Sequence, residues 1–199
     1  MNELTVNWEQ KRPTKSQILD FWSNTKFEKI DKWSKTADVF AEKIRETHVN
    51  GGIQLHKYRI KNNEYFNWFA SRNRLCEIDF VQQTLWHKTL KNYINDLEIK
   101  GKPEINLIED FTDMYDLAGQ LARILGQGGA YKKLNQKEAW NIATDFIESE
   151  FENRFKEVLL FNFTIRNAKW FYNMTWDYSF MLFDKRCNIV TIIDITDTD

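Results

Sequence analysis

Carboxylates are concentrated at the end of the sequence, where Asp194, Asp197 and Asp199 interrupt and follow a run of β-branched residues. Such a group of oxygen ligands could hold a hard divalent cation such as Mg²⁺ or Ca²⁺. It could also form an acidic patch that attracts a basic protein, or simply lie at a solvated chain end. The residue spacing and central glycine of an EF-hand loop are absent from the sequence, so no known calcium motif supports the metal alternative.

Aromatic residues lie just upstream of these carboxylates and include Trp176 and Tyr178. Tryptophan and tyrosine are common anchors of protein–protein interfaces because they combine a large apolar area with a polar end. The alternative is that these aromatic side chains belong to the core. We predict a partner-binding surface made of Trp176, Tyr178, Asp194, Asp197 and Asp199.

A second acidic group has helical spacing. Glu109, Asp113 and Asp116 are separated by four and three residues, which places them on one face of a helix. Carboxylates paired in this way could hold a divalent ion or perform acid–base chemistry. Acidic residues near a helix start also complement the helix dipole without any further function. A metal-dependent enzyme is therefore the alternative to a binding protein.

The remaining motifs predict no catalytic residue, no metal ligand set and no cofactor. Glycines occur at positions 126, 128 and 129, but Ala-Tyr-Lys follows them instead of the Gly-Lys-Ser/Thr of a phosphate-binding loop. A helix end followed by a turn explains these glycines better. The cysteines and histidines lack the spacing of a zinc site. These residues are Cys76, Cys187, His48, His56 and His87.

Composition excludes several classes of protein. The chain has 28 Lys and Arg against 29 Asp and Glu, and a net charge of -1 gives no electrostatic argument for nucleic-acid binding. No apolar run approaches the roughly 18 residues of a membrane span, so we expect no membrane partner. The first residues contain no apolar segment typical of a secretory signal. We therefore expect a cytoplasmic protein.

The order of hydrophobic patterns predicts helices first and strands last. Residues 53–75 fit either a strand or a short buried helix, and their assignment stays open. This order predicts an α+β protein, mainly helical in its N-terminal two-thirds, with a small antiparallel β-sheet at its C-terminus and a single domain over 1–199. Helices are predicted after the capping box of Thr14 and Gln17, over 27–44, 77–97 and 107–125, and from Asn135 to about 151.

The last thirty residues predict a β-hairpin. Residues 170–183 and 189–199 are rich in aromatic and β-branched side chains, and the five residues between them are polar and suit a turn. Residues 158–165 predict one further strand before the hairpin. If the hairpin edge stays open, two copies could pair through it as a homodimer.

One stretch resembles a known family. Residues 115–123, the Gly-Gly-Ala-Tyr at 128–131 and the Glu-Ala-Trp at 138–140 resemble an uncharacterised bacterial domain family of the YbeU/YbeR type. In that family, a helix similar to the one here precedes a Gly-Tyr loop and a Glu-Ala-Trp helix. Gly119 departs from the pattern, and the N-terminal part of the family is not recognisable. The resemblance implies no activity, cofactor or catalytic residue.

Taken together, the sequence predicts a non-enzymatic protein that binds another protein. The small size, the lack of a catalytic constellation and the aromatic hairpin beside an acidic end fit an inhibitor or immunity-type protein. Its partner would be a basic toxin domain, because an acidic surface accelerates association with a basic one. The alternatives are a divalent-metal-dependent enzyme with carboxylate ligands and a bacterial domain with some other function.

Overall fold

A computed structural model describes residues 6–112, 114–152 and 154–199. The described helices and strands alternate irregularly along the chain. The helices are α1 (Lys15–Asn24), α2 (Lys35–Thr47), α3 (Glu64–Ser71), α4 (Phe80–Leu85), α5 (Lys91–Asp96), α6 (Met114–Gln127) and α7 (Gln136–Phe151). The strands are β1 (Phe27–Lys29), β2 (Gly52–Ile60), β3 (Ile105–Thr112), β4 (Val158–Ile165), β5 (Tyr178–Asp184) and β6 (Ile189–Thr196). Short 3-10 helices occur at Leu75–Ile78 and Lys88–Leu90.

The six strands form one sheet in the order β1-β2-β6-β5-β4-β3, and every neighbouring pair is antiparallel. The predicted fold class is therefore wrong. Three strands lie in the N-terminal two-thirds of the chain, and the sheet extends through the whole fold instead of forming a small C-terminal unit. In this sheet β2 pairs with β6, although β3, β4 and β5 lie between them along the chain.

Helices cover both faces of the sheet. Alternate residues of β6 point to opposite faces, so Ile192 packs in one apolar cluster and Ile193 in the other. The first cluster joins the sheet to α1, α3, α4 and α5, and the second joins it to α2, α6 and α7. Because both faces are covered, the central strands β4, β5 and β6 are buried along nearly their whole length.

The hairpin of β5 and β6 is confirmed, with Tyr178 paired to Ile195 and Asp184 paired to Ile189. Its first strand begins at Tyr178, and 170–177 form a loop instead of strand. The hairpin lies in the middle of the sheet, between β2 and β4. The condition for pairing two copies through an open hairpin edge is therefore not met, because the edge strands of the described sheet are β1 and β3.

Two predicted helices are wrong for identifiable reasons. Residues 77–97 form short helical segments, and the chain turns at Asp79, whose φ of 50° is left-handed and ends a regular helix. Residues 105–112 form β3, which pairs with β4 through a register shift. Pairing with a neighbouring strand decides the conformation of such a segment more strongly than its local preference.

Other local predictions are confirmed. Thr14 and Gln17 form the capping box of α1, and the side chain of Asn135 caps α7. Strand 158–165 is present as β4. Residues 53–75 contain both elements that the sequence left open, since β2 is followed by the short buried helix α3. The helix predicted over 27–44 is wrong in its first part, because residues 27–29 form β1 and α2 begins only at Lys35, after the cap at Ser34.

Candidate protein-binding surface

The predicted surface residues are divided between the interior and the exterior. Asp194 and Asp197 are both 0% exposed, whereas Asp199 is exposed. Trp176 and Tyr178 are half-buried, at the loop that leads into β5. The two buried aspartates cannot contribute to an exposed acidic patch. The structure therefore separates the predicted aromatic contacts from most of the predicted acidic ones.

Asp197 binds two loops that are distant along the chain. Its Oδ1 accepts a hydrogen bond from the backbone N–H of Asn50 at 2.9 Å, and its Oδ2 accepts one from Ala130 at 2.8 Å. The first loop follows α2 and the second follows α6. A carboxylate that receives backbone N–H donors on both oxygens is well compensated for its burial. Asp197 consequently fixes both loops to the end of β6.

Glycines allow this close approach. A Cβ atom on Gly129 would lie 2.0 Å from Oδ2 of Asp197 and 2.8 Å from the carbonyl oxygen of Thr47. A Cβ atom on Gly51 would lie 2.3 Å from the carbonyl oxygen of Thr196. Neither position has room for a side chain without movement of the backbone or of Asp197. Gly51 and Gly129 are thus required by packing at the sheet end, and their neighbours Gly52 and Gly128 have positive φ angles of 112° and 71° that favour glycine.

A third loop, 170–177, joins the same network. The hydroxyl of Tyr172 donates to the carbonyl oxygen of Asn50 at 3.0 Å. The carboxylate of Asp177 accepts hydrogen bonds from the hydroxyl of Thr196 and from the backbone N–H of Met174. The side-chain amide of Asn50 also donates to the carbonyl oxygen of Thr198. Three loops and the end of β6 are therefore held together by hydrogen bonds.

Large apolar side chains are exposed on these fixed loops. Tyr131 is 65% exposed, Tyr172 46%, Val49 43% and Met174 39%. We define the loop surface as Val49, Tyr131, Tyr172, Met174 and Trp176. Of these, only Trp176 was predicted from the sequence. The others have no periodic pattern, although the two Gly-Gly pairs are a sequence signal that tight loops meet there.

Asp194 is buried on the face of the sheet that carries Ile192, which α1, α3, α4 and α5 cover. The hydroxyl of Ser179 donates to its Oδ1 at 2.7 Å, across the β5–β6 pair. The hydroxyl of Tyr93 lies close to the carboxyl and favours its charged form, yet neither Oδ2 nor this hydroxyl has a hydrogen bond of normal geometry to any described residue. Burial dominates and raises the pKa of Asp194 to about 7.

His56 and two tyrosines complete this buried polar group. Burial lowers the pKa of His56 to about 4, and its Nε2 lies 3.2 Å from Oε1 of Gln54. The rings of His56 and Tyr93 meet edge to face at 5.0 Å. Burial also raises the pKa of Tyr58 to about 12. His56 pairs with Ile192 in the sheet, and its ring nitrogen lies near Gln54. The hydroxyl of Ser179 contacts the carboxyl of Asp194 directly, and His56 does not lie between them.

The second acidic group is not assembled on one helix. Glu109 lies on β3, Asp116 lies in the first turn of α6, and Asp113 is outside the described residues. The expectation of one shared helical face is therefore wrong. Within the described ranges, no group of three or more histidine, cysteine or acidic side chains is arranged to hold a metal ion. His48 ends α2, where its backbone N–H donates to the carbonyl oxygen of Ile44, and burial lowers the pKa of its ring.

Comparison of the chain with known protein families, curated proteins and solved structures finds no match. The resemblance over residues 115–140 consequently stays a prediction; these residues form α6, the loop after it and the start of α7. In the part of the chain that the structure describes, no helix has both the length and the apolar character needed to cross a membrane.

Proposed function

We propose that this chain is a non-enzymatic binding protein whose loop surface contacts another protein. The observation that carries the proposal is that exposed apolar side chains lie on loops whose backbone is hydrogen-bonded, directly or through Asn50, to Asp197. Tyr131 follows Ala130, whose N–H donates to Asp197, and Tyr172 donates to Asn50, whose own N–H donates to the same carboxylate. A fixed surface loses little conformational entropy when it binds, and this raises its affinity.

The chemistry of the loop surface favours a protein partner. Tyrosine, tryptophan and methionine are enriched at the centres of protein interfaces. Contiguous apolar patches often mark interaction sites, and these exposed side chains lie on loops that are hydrogen-bonded to one another or to Asp197. Three of the exposed side chains are Tyr131, Tyr172 and Met174, and the half-buried Trp176 lies on the same loop as Tyr172 and Met174.

The class of binder that we propose is an inhibitor of the immunity type, acting in the cytoplasm. The sequence has only two cysteines, Cys76 and Cys187, too few for a disulfide framework, and this suits a reducing compartment. A basic toxin domain remains the proposed target. The charge argument for a basic target is weaker than the sequence suggested. Asp199 is the one exposed carboxylate of the predicted acidic group, and Lys132 and Lys133 are exposed beside Tyr131. We therefore expect apolar contacts to dominate and salt to change the affinity only slightly.

The proposal is tested by capture of a partner with matched variants. The tagged chain is incubated with lysate of its source cells, and bound proteins are identified by mass spectrometry and quantified. One variant carries Tyr131→Ser and Met174→Ser, which remove exposed side chains of the loop surface. The control carries Leu19→Ser and Trp86→Ser, since these side chains are exposed to similar degrees, 57% and 49%, away from the loop surface.

We expect the wild type and the control to capture the same stoichiometric partner and the loop variant to bind it at least about tenfold more weakly. Loss of a buried anchor typically costs about 1–2 kcal/mol or more in binding free energy. Thermal melting checks that both variants stay folded. Equal affinity of the loop variant would contradict the assigned surface, and failure of the wild type to capture any partner would contradict the binding function.

A further inference from the structure

A groove of about 740 Å³ lies at the end of the sheet opposite the loop surface. It is formed where β1, the end of β2 and the start of β6 meet. Its apolar lining includes the half-buried Ile189 and the nearly buried Phe27 and Ile60, and its charged rim includes Lys26, Arg59 and Lys61. This volume is within the range of roughly 300–1,000 Å³ that is typical of small-molecule sites.

The rim of the groove carries an excess of positive charge. Lys26, Arg59 and Lys61 are all exposed, and Glu28 is the only carboxylate among the described lining residues. Glu28 is the cross-strand partner of Arg59, so it offsets part of this charge. Among the described ion pairs, none uses any of the three cations. Three lysine and arginine side chains are thus available in a chain whose overall net charge is -1.

A buried amide adds a second polar feature. Asn188 lines the groove and is 4% exposed, and its Oδ1 has no hydrogen-bond partner among the described residues. Its backbone has a φ of 53°, and its carbonyl oxygen accepts the N–H of Ile60 at 2.8 Å, which fixes the residue in the hairpin turn. A buried acceptor without a donor costs free energy. A ligand hydroxyl or amino group would satisfy it.

We propose that this groove binds a small organic phosphate of nucleotide size. Phosphate oxygens match the rim, because arginine can bind two of them at once and lysine adds a point charge. An apolar body matches the half-buried Ile189 and the small exposed part of Phe27, and a hydroxyl or amino group on that body matches Asn188. The three features require an anion, an apolar body and a hydrogen-bond donor in one molecule. The site is independent of the proposed protein-binding function.

The test is a titration of the ¹⁵N-labelled full chain, followed by NMR spectroscopy. The probes are AMP, GMP, CMP and UMP, each up to about 10 mM, with inorganic phosphate and adenosine as partial ligands. We expect at least one nucleotide to shift the amide signals of Ile60, Thr89 and Ile189 saturably. Adenosine lacks the anion and inorganic phosphate lacks the apolar body, so each should bind at least about tenfold more weakly.

Variants locate the site. The double change Arg59→Gln and Lys61→Gln should weaken nucleotide binding at least about tenfold, while Lys133→Gln and Lys137→Gln, which remove equal charge elsewhere, should leave it unchanged. Asn188→Gly keeps the positive φ accessible and removes the amide, so it should also weaken binding. The proposal is overturned if no nucleotide gives a saturable shift, if inorganic phosphate binds as tightly, or if the groove variant binds like the wild type.

Discussion

Asp194 and Asp197 are three residues apart at the end of one strand, and both are fully buried, yet their surroundings differ. Asp197 receives a backbone N–H on each oxygen. Asp194 receives one hydroxyl, from Ser179, and its second oxygen has no hydrogen bond of normal geometry to a described residue. Asp194 lies within β6, whereas Asp197 follows the last residue of that strand.

The difference separates two roles for a buried carboxylate. Hydrogen bonds from two loops make Asp197 a structural link, and the energy of these bonds offsets its desolvation. Asp194 lacks that compensation, so burial raises its pKa to about 7 and the group takes up a proton near neutral pH. We infer that Asp197 shapes the loop surface, whereas Asp194 makes the stability of the interior depend on pH.

The largest expected effect comes from a methyl group placed against Asp197. Gly129→Ala would put a Cβ atom 2.0 Å from Oδ2 of Asp197, so the carboxylate or the loop must move. We expect a loss of about 4 kcal/mol or more in the free energy of unfolding, or failure to fold. Chemical denaturation measures the change.

The matched control is Gly119→Ala in α6, where nothing lies within 4 Å of the added Cβ atom. This change should increase stability by roughly 0.5–1 kcal/mol, because alanine is the better helix former. If Gly129→Ala were as stable as the wild type, the close packing of the loop against Asp197 would be disproved.

A smaller effect distinguishes Asp194 through pH. Its pKa is about 7 in the folded chain and lower in the unfolded chain, so the folded state binds more protons between about pH 4 and 7. The stabilisation that this bound proton gives to the folded state is fully present below the unfolded pKa and is lost as pH rises through 7. The variant Asp194→Asn does not lose stability in this way, because asparagine does not titrate. The stability of the variant relative to the wild type should therefore rise by up to about 4 kcal/mol from pH 4 to 8.

His56 changes the stability of the folded chain with pH in the opposite direction to Asp194. Its pKa is lowered to about 4, so the unfolded state binds more protons between about pH 4 and 6.5, and stability falls as pH decreases through this window. The stability of His56→Gln relative to the wild type should therefore increase toward low pH, by up to about 3 kcal/mol.

Denaturant unfolding at a series of pH values measures both variants. A constant difference for Asp194→Asn across pH 4–8 would show that Asp194 keeps an ordinary pKa.

Parts of the fold could be predicted because their signals are local. The capping box at Thr14, the asparagine cap of α7 and the hairpin of β5 and β6 depend on residues close in sequence. The placement of the hairpin between β2 and β4 depends on pairing across more than a hundred residues, which no local pattern encodes. β3 was missed for the same reason, since its acidic residues resemble a helix start.

The candidate site was less predictable than the fold. Asp194 and Asp197 look like surface carboxylates because charged residues are rarely fully buried. Their partners, Ser179 for one and the N–H groups of Asn50 and Ala130 for the other, come from elements that only the sheet brings together. Tyr131 and Tyr172 join one surface for the same reason. Trp176 was predicted because aromatic content alone marked its segment.

The most direct test of the central claim, that Asp197 fixes the loops of the loop surface, is amide hydrogen exchange of the wild type and of Asp197→Asn. The N–H groups of Asn50 and Ala130 should exchange slowly in the wild type, and at least one should lose its protection in the variant, because the amide offers only one acceptor oxygen. The N–H of Glu9, bonded to the exposed side chain of Asn7, is the fast-exchanging control. Exchange of Asn50 and Ala130 in the wild type as fast as that of Glu9 would contradict the account.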